Sequence, residues 1–145
     1  MKLSSILVAE LSRELQNGFD IYVNLDTGET KSLMDESLSG SVRQEYSFQE
    51  FNEIKNNWTQ FLKISKPDPF EEYGYKENFI NQVSNPEIRE KLSEVLKNRN
   101  PLSDFSQIAE ISELRDEWSY YIQNCYLEYL KRQLDIYGIT VEQNY

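Results

Sequence analysis

Apolar residues recur every four positions at the start of the chain, at Leu3, Leu7, Leu11 and Leu15, and Val8 widens the stripe. That spacing predicts an amphipathic helix capped by Ser4 or Ser5 and ending near Gln16. Asn17-Gly18 stops it, since glycine suits the left-handed position that follows a helix. The period then changes to two. Phe19, Ile21, Val23 and Leu25 alternate with Asp20, Tyr22 and Asn24, as in a half-buried strand. Asp26-Thr27-Gly28 supplies a turn, and Glu29 to Leu33 returns as the second strand of a hairpin. Met34 to Tyr46 is polar and reads as a mobile connection.

Ser47 with Glu50 makes a capping box for a short helix carrying Phe48, Phe51 and Ile54. Trp58 to Ile64 alternates again, with Trp58, Gln60, Leu62 and Ile64 on one side, and reads as a third strand. A hairpin alone is marginal, so a third strand or a covering helix is physically needed. Pro67 and Pro69 end that strand. Asp68-Pro69 and Asn85-Pro86 each combine a capping side chain with a proline at the first helical position, where its missing N–H costs little. The first of these helices carries Phe70, Tyr73, Ile80 and Val83 on a broad face, weakened by Gly74. The second has a one-sided stripe of Ile88, Leu92, Val95 and Leu96. Pro101 opens a short helix with Leu102, Phe105, Ile108 and Ala109 inward. Ser112 caps the longest helix, ended by Gly138. In it Leu114, Trp118, Tyr121, Ile122, Cys125 and Tyr129 track one face, and Leu127, Leu130 and Leu134 a second. A helix apolar over so much of its girth is covered by its neighbours.

The pattern therefore predicts an α+β fold that is mostly helical. A small antiparallel sheet, a hairpin with a possible third strand, lies in the N-terminal half. The helical C-terminal half packs around one long terminal helix. Residues 1–139 are expected to form a single domain and 140–145 a loose tail. The length of 145 residues suits one domain with a real core, and an aromatic content of 13% argues for a folded chain.

Charge and composition narrow the function more than they define it. The formal net charge is −10, from 15 basic and 25 acidic residues, which is the wrong sign for a generic nucleic-acid binder. There is no histidine, so Ser-His-Asp, Cys-His and zinc-histidine sites are excluded by composition. The single cysteine, Cys125, rules out an internal disulfide and reads as a small buried filler on the apolar face of the long helix. The first residues are interrupted by Glu10, Arg13 and Glu14 and do not resemble a secretion signal. No apolar run is long enough for a membrane span. The expected location is the cytoplasm, with no membrane association.

Four patterns carry candidate chemistry. Asp26-Thr27-Gly28 matches the loop of aspartic proteases, but those enzymes need two such carboxylates sharing a proton, and Glu29 follows where a small residue is expected. A hairpin turn accounts for it better. Glu110, Glu113, Asp116 and Glu117 have the oxygen-ligand chemistry for calcium or magnesium, and Glu113, Asp116 and Glu117 give the reading of a divalent-metal hydrolase. Equally, acids near a helix start are favoured by the helix dipole without any metal, and no metal or other cofactor is assigned. Lys55, Lys63 and Lys66, interleaved with Trp58 and Phe61, have the composition of a strand that stacks single-stranded nucleic acid, with Arg99 as a further contact. Exposed lysine also protects edge strands from aggregation, which is the plainer account. The five glycines include no phosphate-binding loop.

Several stretches together resemble uncharacterised bacterial protein family 158. They are Tyr22-Val23-Asn24-Leu25-Asp26-Thr27-Gly28-Glu29, Phe61-Leu62-Lys63-Ile64, Phe79-Ile80 and Ile88-Arg89-Glu90-Lys91-Leu92. Others are Arg99, Leu114-Arg115-Asp116-Glu117-Trp118-Ser119-Tyr120-Tyr121, and Leu134 to Ile139. The resemblance implies a shared fold and carries no established activity. Where the family has a Gly-Arg-Gly-x-Phe-Arg-Arg-Phe break, this chain has Asn98-Arg99-Asn100-Pro101-Leu102-Ser103-Asp104-Phe105. Only Arg99 and Phe105 of that basic patch remain. The leading expectation is a non-enzymatic interaction or regulatory protein, acting on an unidentified protein partner or by self-association. Its candidate contacts are Arg99, Lys55, Lys63, Lys66, Tyr120 and Tyr126, with Tyr137 a further exposed aromatic.

Overall fold

The computed structural model describes residues 1–34, 52–97 and 114–142. The fold is α+β and mostly helical, with a three-stranded antiparallel sheet. The chain divides into two compact units, one formed by Met1–Lys66 with Tyr126–Tyr145 and the other by Pro67–Cys125.

In the first unit, strand β1 (Lys2–Ser4) leads into helix α1 (Ser5–Gln16). Ser4 is the cap, its hydroxyl accepting the Leu7 N–H at 3.1 Å. The predicted leucine stripe faces inward, with Val8 and Leu15 fully buried. Strands β2 (Phe19–Asn24) and β3 (Thr30–Met34) form the hairpin, and β4 (Phe61–Ile64) adds to the other side of β2. The order is β3-β2-β4. In this register Ile21 faces Ser32 and Ile64, and Val23 faces Thr30 and Leu62. These residues share one face, and α1 covers it, because Glu14 accepts a hydrogen bond from the Ser32 hydroxyl there. The opposite face is also covered. Tyr22 and Leu33 are buried on it with Ile54, from the helical segment α2 (residues 52–56), and Phe61 packs against them. Tyr22 is thus a core residue, although simple alternation places it on the polar side. The sheet is two-sided, and alternation identifies only one of the two buried faces.

Two expectations change here. The segment 58–64 is not strand throughout. Trp58–Gln60 forms a 3₁₀ turn closed by Gln60 N–H to Asn57 C=O at 2.8 Å, and pairing with β2 begins only beyond it. Trp58 therefore leaves the inward side and is 72% exposed. Residues 140–142, expected in a loose tail, form strand β5 (Thr140–Glu142), parallel to β1 with Leu3 opposite Val141.

The second unit holds α3 (Pro69–Gln82), α4 (Pro86–Leu96) and the start of α5 (Arg115–Ile136). Asp68 accepts the Glu71 N–H at 2.8 Å and Asn85 accepts those of Glu87 and Ile88, so both cap-then-proline starts work as predicted. Phe79, Ile80, Val83, Leu92, Leu96, Leu114 and Trp118 make the core, with Tyr73, Ile88, Val95, Tyr121 and Ile122 against it. Phe70, expected on the inward face of α3, is instead exposed in its first turn. Phe79 and Trp118 meet edge to face, with ring centroids 5.0 Å apart. Helix α5 is long, as the sequence predicts. Its buried stripe takes one residue in four, Trp118, Tyr126, Leu130 and Leu134, with Ile122 half-buried between them. The helix ends in a Schellman motif. Gly138 N–H reaches Asp135 C=O at 2.9 Å and Ile139 N–H reaches Leu134 C=O at 3.0 Å, with Gly138 at φ 74°. Leu134 and Ile139, the pair that such a motif brings together, are both buried. The connection expected after Met34, the capping box at Ser47, the short helix from Pro101 and the Ser112 cap lie outside the described residues.

Candidate functional site

The hairpin end of the sheet gathers exposed apolar side chains. Its turn is built by Asn24, whose side-chain oxygen accepts the N–H groups of Asp26 and Thr27 at 2.9 and 3.2 Å. Gly28 N–H returns to Asn24 C=O at 2.8 Å, and Thr27 Oγ1 accepts the Glu29 N–H at 3.2 Å. Asp26 is thereby an exposed turn residue, and the turn reading of Asp26-Thr27-Gly28 has a complete hydrogen-bond account. Beside this turn, Leu25 N–H donates to Gln60 C=O at 2.7 Å, which brings the Trp58–Gln60 turn to the same end of the sheet. Met1 lies over the hairpin, its sulfur 3.7 Å from where a Cβ on Gly28 would stand. Trp58, Met1 and Leu25 are 72%, 45% and 38% exposed.

The expected basic residues divide. Lys55 is exposed on α2, one turn before Trp58. Lys63 is exposed on β4 but reaches Asp20 at 3.8 Å across the sheet, so part of its charge is answered within the fold. Lys66 is exposed and engaged elsewhere in the protein. Arg99 lies outside the described residues, as do Glu110 and Glu113. Asp116 and Glu117 stand exposed in the first turn of α5, where the dipole favours them. Among the described residues no three acids, cysteines or histidines cluster as metal ligands would.

The tyrosines also divide. Tyr120 is 74% and Tyr137 56% exposed, but Tyr126 is only 4% exposed. Tyr126 is thus a core residue and cannot present a contact surface. Its position four residues after Ile122 and four before Leu130 was the available signal. Cys125 is half-buried and in no disulfide, less enclosed than the buried filler its place on the apolar face predicts. Four residues before it, Tyr121 has its phenol pushed up from 10.0 to about 12, first by burial and then by the Cys125 sulfur, through charge repulsion and as a hydrogen-bond partner.

Two features were not found from sequence. Helix α3 buries Glu72 and Lys76, 9% and 5% exposed, and both are engaged in interactions. They sit a helical turn apart, a spacing indistinguishable in sequence from an exposed charge pair. A groove of about 180 Å³ runs between α3, which lines it with Tyr73, Glu77, Ile80 and Asn81, and α4, which supplies Ser93, Leu96 and Lys97.

Comparison with known proteins places this geometry in a family. The model of an uncharacterised protein family, UPF0158, matches residues 14–136. The chain belongs to that family. The match spans the hairpin, both proline-started helices and all of α5. No curated protein and no solved structure matches the chain. Among the described residues, no helix of this UPF0158 protein is long and apolar enough to cross a membrane.

Proposed function

We propose that this protein is a non-enzymatic interaction module of the bacterial cytoplasm that recognises a protein partner, or its own copy, through the hairpin end of its sheet. The observation that carries the reading is Trp58, 72% exposed. A large aromatic in water forgoes the burial that folding otherwise gives it, and tryptophan is among the residues enriched where side chains dominate binding energy. Leu25 and Met1 extend the apolar surface at that end, and Lys55 supplies a polar rim. The turn that presents Trp58 is held by backbone hydrogen bonds, Leu25 N–H to Gln60 C=O and Phe61 N–H to Trp58 C=O, so the surface is preorganised without the indole.

The test compares the native protein with Trp58→Ala. Sedimentation gives the oligomeric state, and cross-linking followed by affinity capture finds heterologous partners. The expected result is an association present in the native protein and lost in the variant, with the melting temperature unchanged, since an exposed side chain contributes about 0.5 kcal/mol or less to stability. A strictly monomeric protein whose captured set is the same with and without Trp58 refutes the reading. A second reading, association with single-stranded nucleic acid, draws on the same exposed Trp58 with Lys55 beside it. It requires binding to single-stranded RNA that weakens with salt and is lost in Trp58→Ala; no complex at low salt removes it.

A further inference from the structure

The groove between α3 and α4 belongs to the second unit, and its chemistry differs from that of the hairpin end. Glu77 stands on its α3 wall and Lys97 at the end of its α4 wall. Among the described residues neither has an ion-pair partner, although the two carry opposite charges on one groove. The buried Ile80 and Leu96 give it an apolar floor, and Asn81 and Tyr73 add an amide and a phenol. Its volume of about 180 Å³ is small. Pockets for drug-sized ligands run from roughly 300 to 1,000 Å³, so a nucleotide or a large cofactor does not fit.

We propose that this groove binds a small zwitterion, an α-amino acid with an aliphatic side chain. The ligand's ammonium meets Glu77 and the Asn81 amide oxygen, its carboxylate meets Lys97, and its side chain lies on Ile80 and Leu96. Both signs are needed. A plain carboxylic acid would leave Glu77 without a countercharge, and a plain amine would do the same at Lys97. The phenol of Tyr73 can donate a further hydrogen bond to the carboxylate.

The experiment titrates the full-length, isotope-labelled protein with L-leucine and follows backbone amide resonances. Two truncated ligands serve as controls, 4-methylpentanoate, which lacks the ammonium, and 3-methylbutylamine, which lacks the carboxylate. Saturable shifts confined to residues 73–97 are expected with L-leucine, and about tenfold weaker binding with either control, because each loses one charge-assisted contact. Glu77→Gln and Lys97→Gln are expected to weaken L-leucine by a similar factor with the melting temperature unchanged, both side chains being exposed. The proposal is overturned if L-leucine gives no saturable shift at millimolar concentration, or if either truncated ligand binds as well as leucine. It is equally overturned if both variants keep the native affinity. The ligand series runs on the native protein, so its outcome does not depend on the variants folding. The hairpin reading stands or falls separately, since Trp58 takes no part in this groove.

Discussion

Trp118 and Tyr121 occupy the same core, and their neighbours give them different consequences. Trp118 is 5% exposed and stacks its edge against Phe79. Trp118→Ala removes the largest side chain of that core and leaves a cavity the two proline-started helices cannot close. The expected loss is about 3–5 kcal/mol, read from the denaturant midpoint at constant slope. Tyr121 is only half-buried, and its effect appears in pH. Its phenol is raised from 10.0 to about 12 in the folded protein. A group whose folded value is raised keeps its full contribution below the unfolded value and loses it as pH rises through the folded one. Stability should therefore fall between pH 10.0 and about 12 as the unfolded chain ionises first. A phenolate absorbance component with a midpoint near 12 should be present in the native protein and absent in Tyr121→Phe. If that late component survives in Tyr121→Phe, it belongs to another phenol, and burial does not hold Tyr121 protonated.

At the level of elements, what the sequence made legible depended on whether a signal was local. Caps were: Ser4, Asp68 and Asn85 each accept the N–H groups that their positions require. So was the hairpin, whose turn chemistry lies within Asn24 to Glu29. Trp58 was not, because alternation is blind to a turn inserted before the first paired residue. The strand β5 was not, because its partner β1 is at the far end of the sequence. Of the candidate contacts, Tyr120 and Lys55 stand exposed where the pattern puts them, while Tyr126 was lost to an inward stripe that runs between the two faces assigned to α5. Glycine placement gives a paired prediction at this scale. Gly138 holds φ 74° and a Cβ there would touch nothing, so Gly138→Ala carries only the left-handed backbone strain, about 1–2 kcal/mol of lost stability. Gly74 lies inside α3 with the same open space and no positive φ, so Gly74→Ala should gain about 1 kcal/mol. Opposite shifts of melting temperature in the two variants check this. Equal shifts would mean that the Schellman geometry of Gly138 is not what ends α5.

Over the whole molecule, acids outnumber bases by 25 to 15, so the net charge of −10 leaves carboxylates in excess whichever ion pairs form. Lys31 meets Glu53 at 2.8 Å, but Glu53 is half exposed, and the Lys63–Asp20 and Lys131–Glu128 contacts are longer at 3.8 and 3.6 Å. Pairs of this exposure contribute about 0–1 kcal/mol each. Self-repulsion among 25 acids and 15 bases acts on every carboxylate at once and weakens as salt shortens the screening length, to about 10 Å at 0.1 M. Screening therefore removes more repulsion than attraction. The melting temperature should rise as sodium chloride is raised from near zero to about 0.2 M, with most of the gain at the low end. The same screening sorts partners for the Trp58 surface. Self-association brings two acidic bodies together and should strengthen over that salt range, whereas a basic partner or one held by charge should be released. A melting temperature that falls with salt would mean that local attraction outweighs the net charge, and the salt test could no longer separate the two kinds of partner.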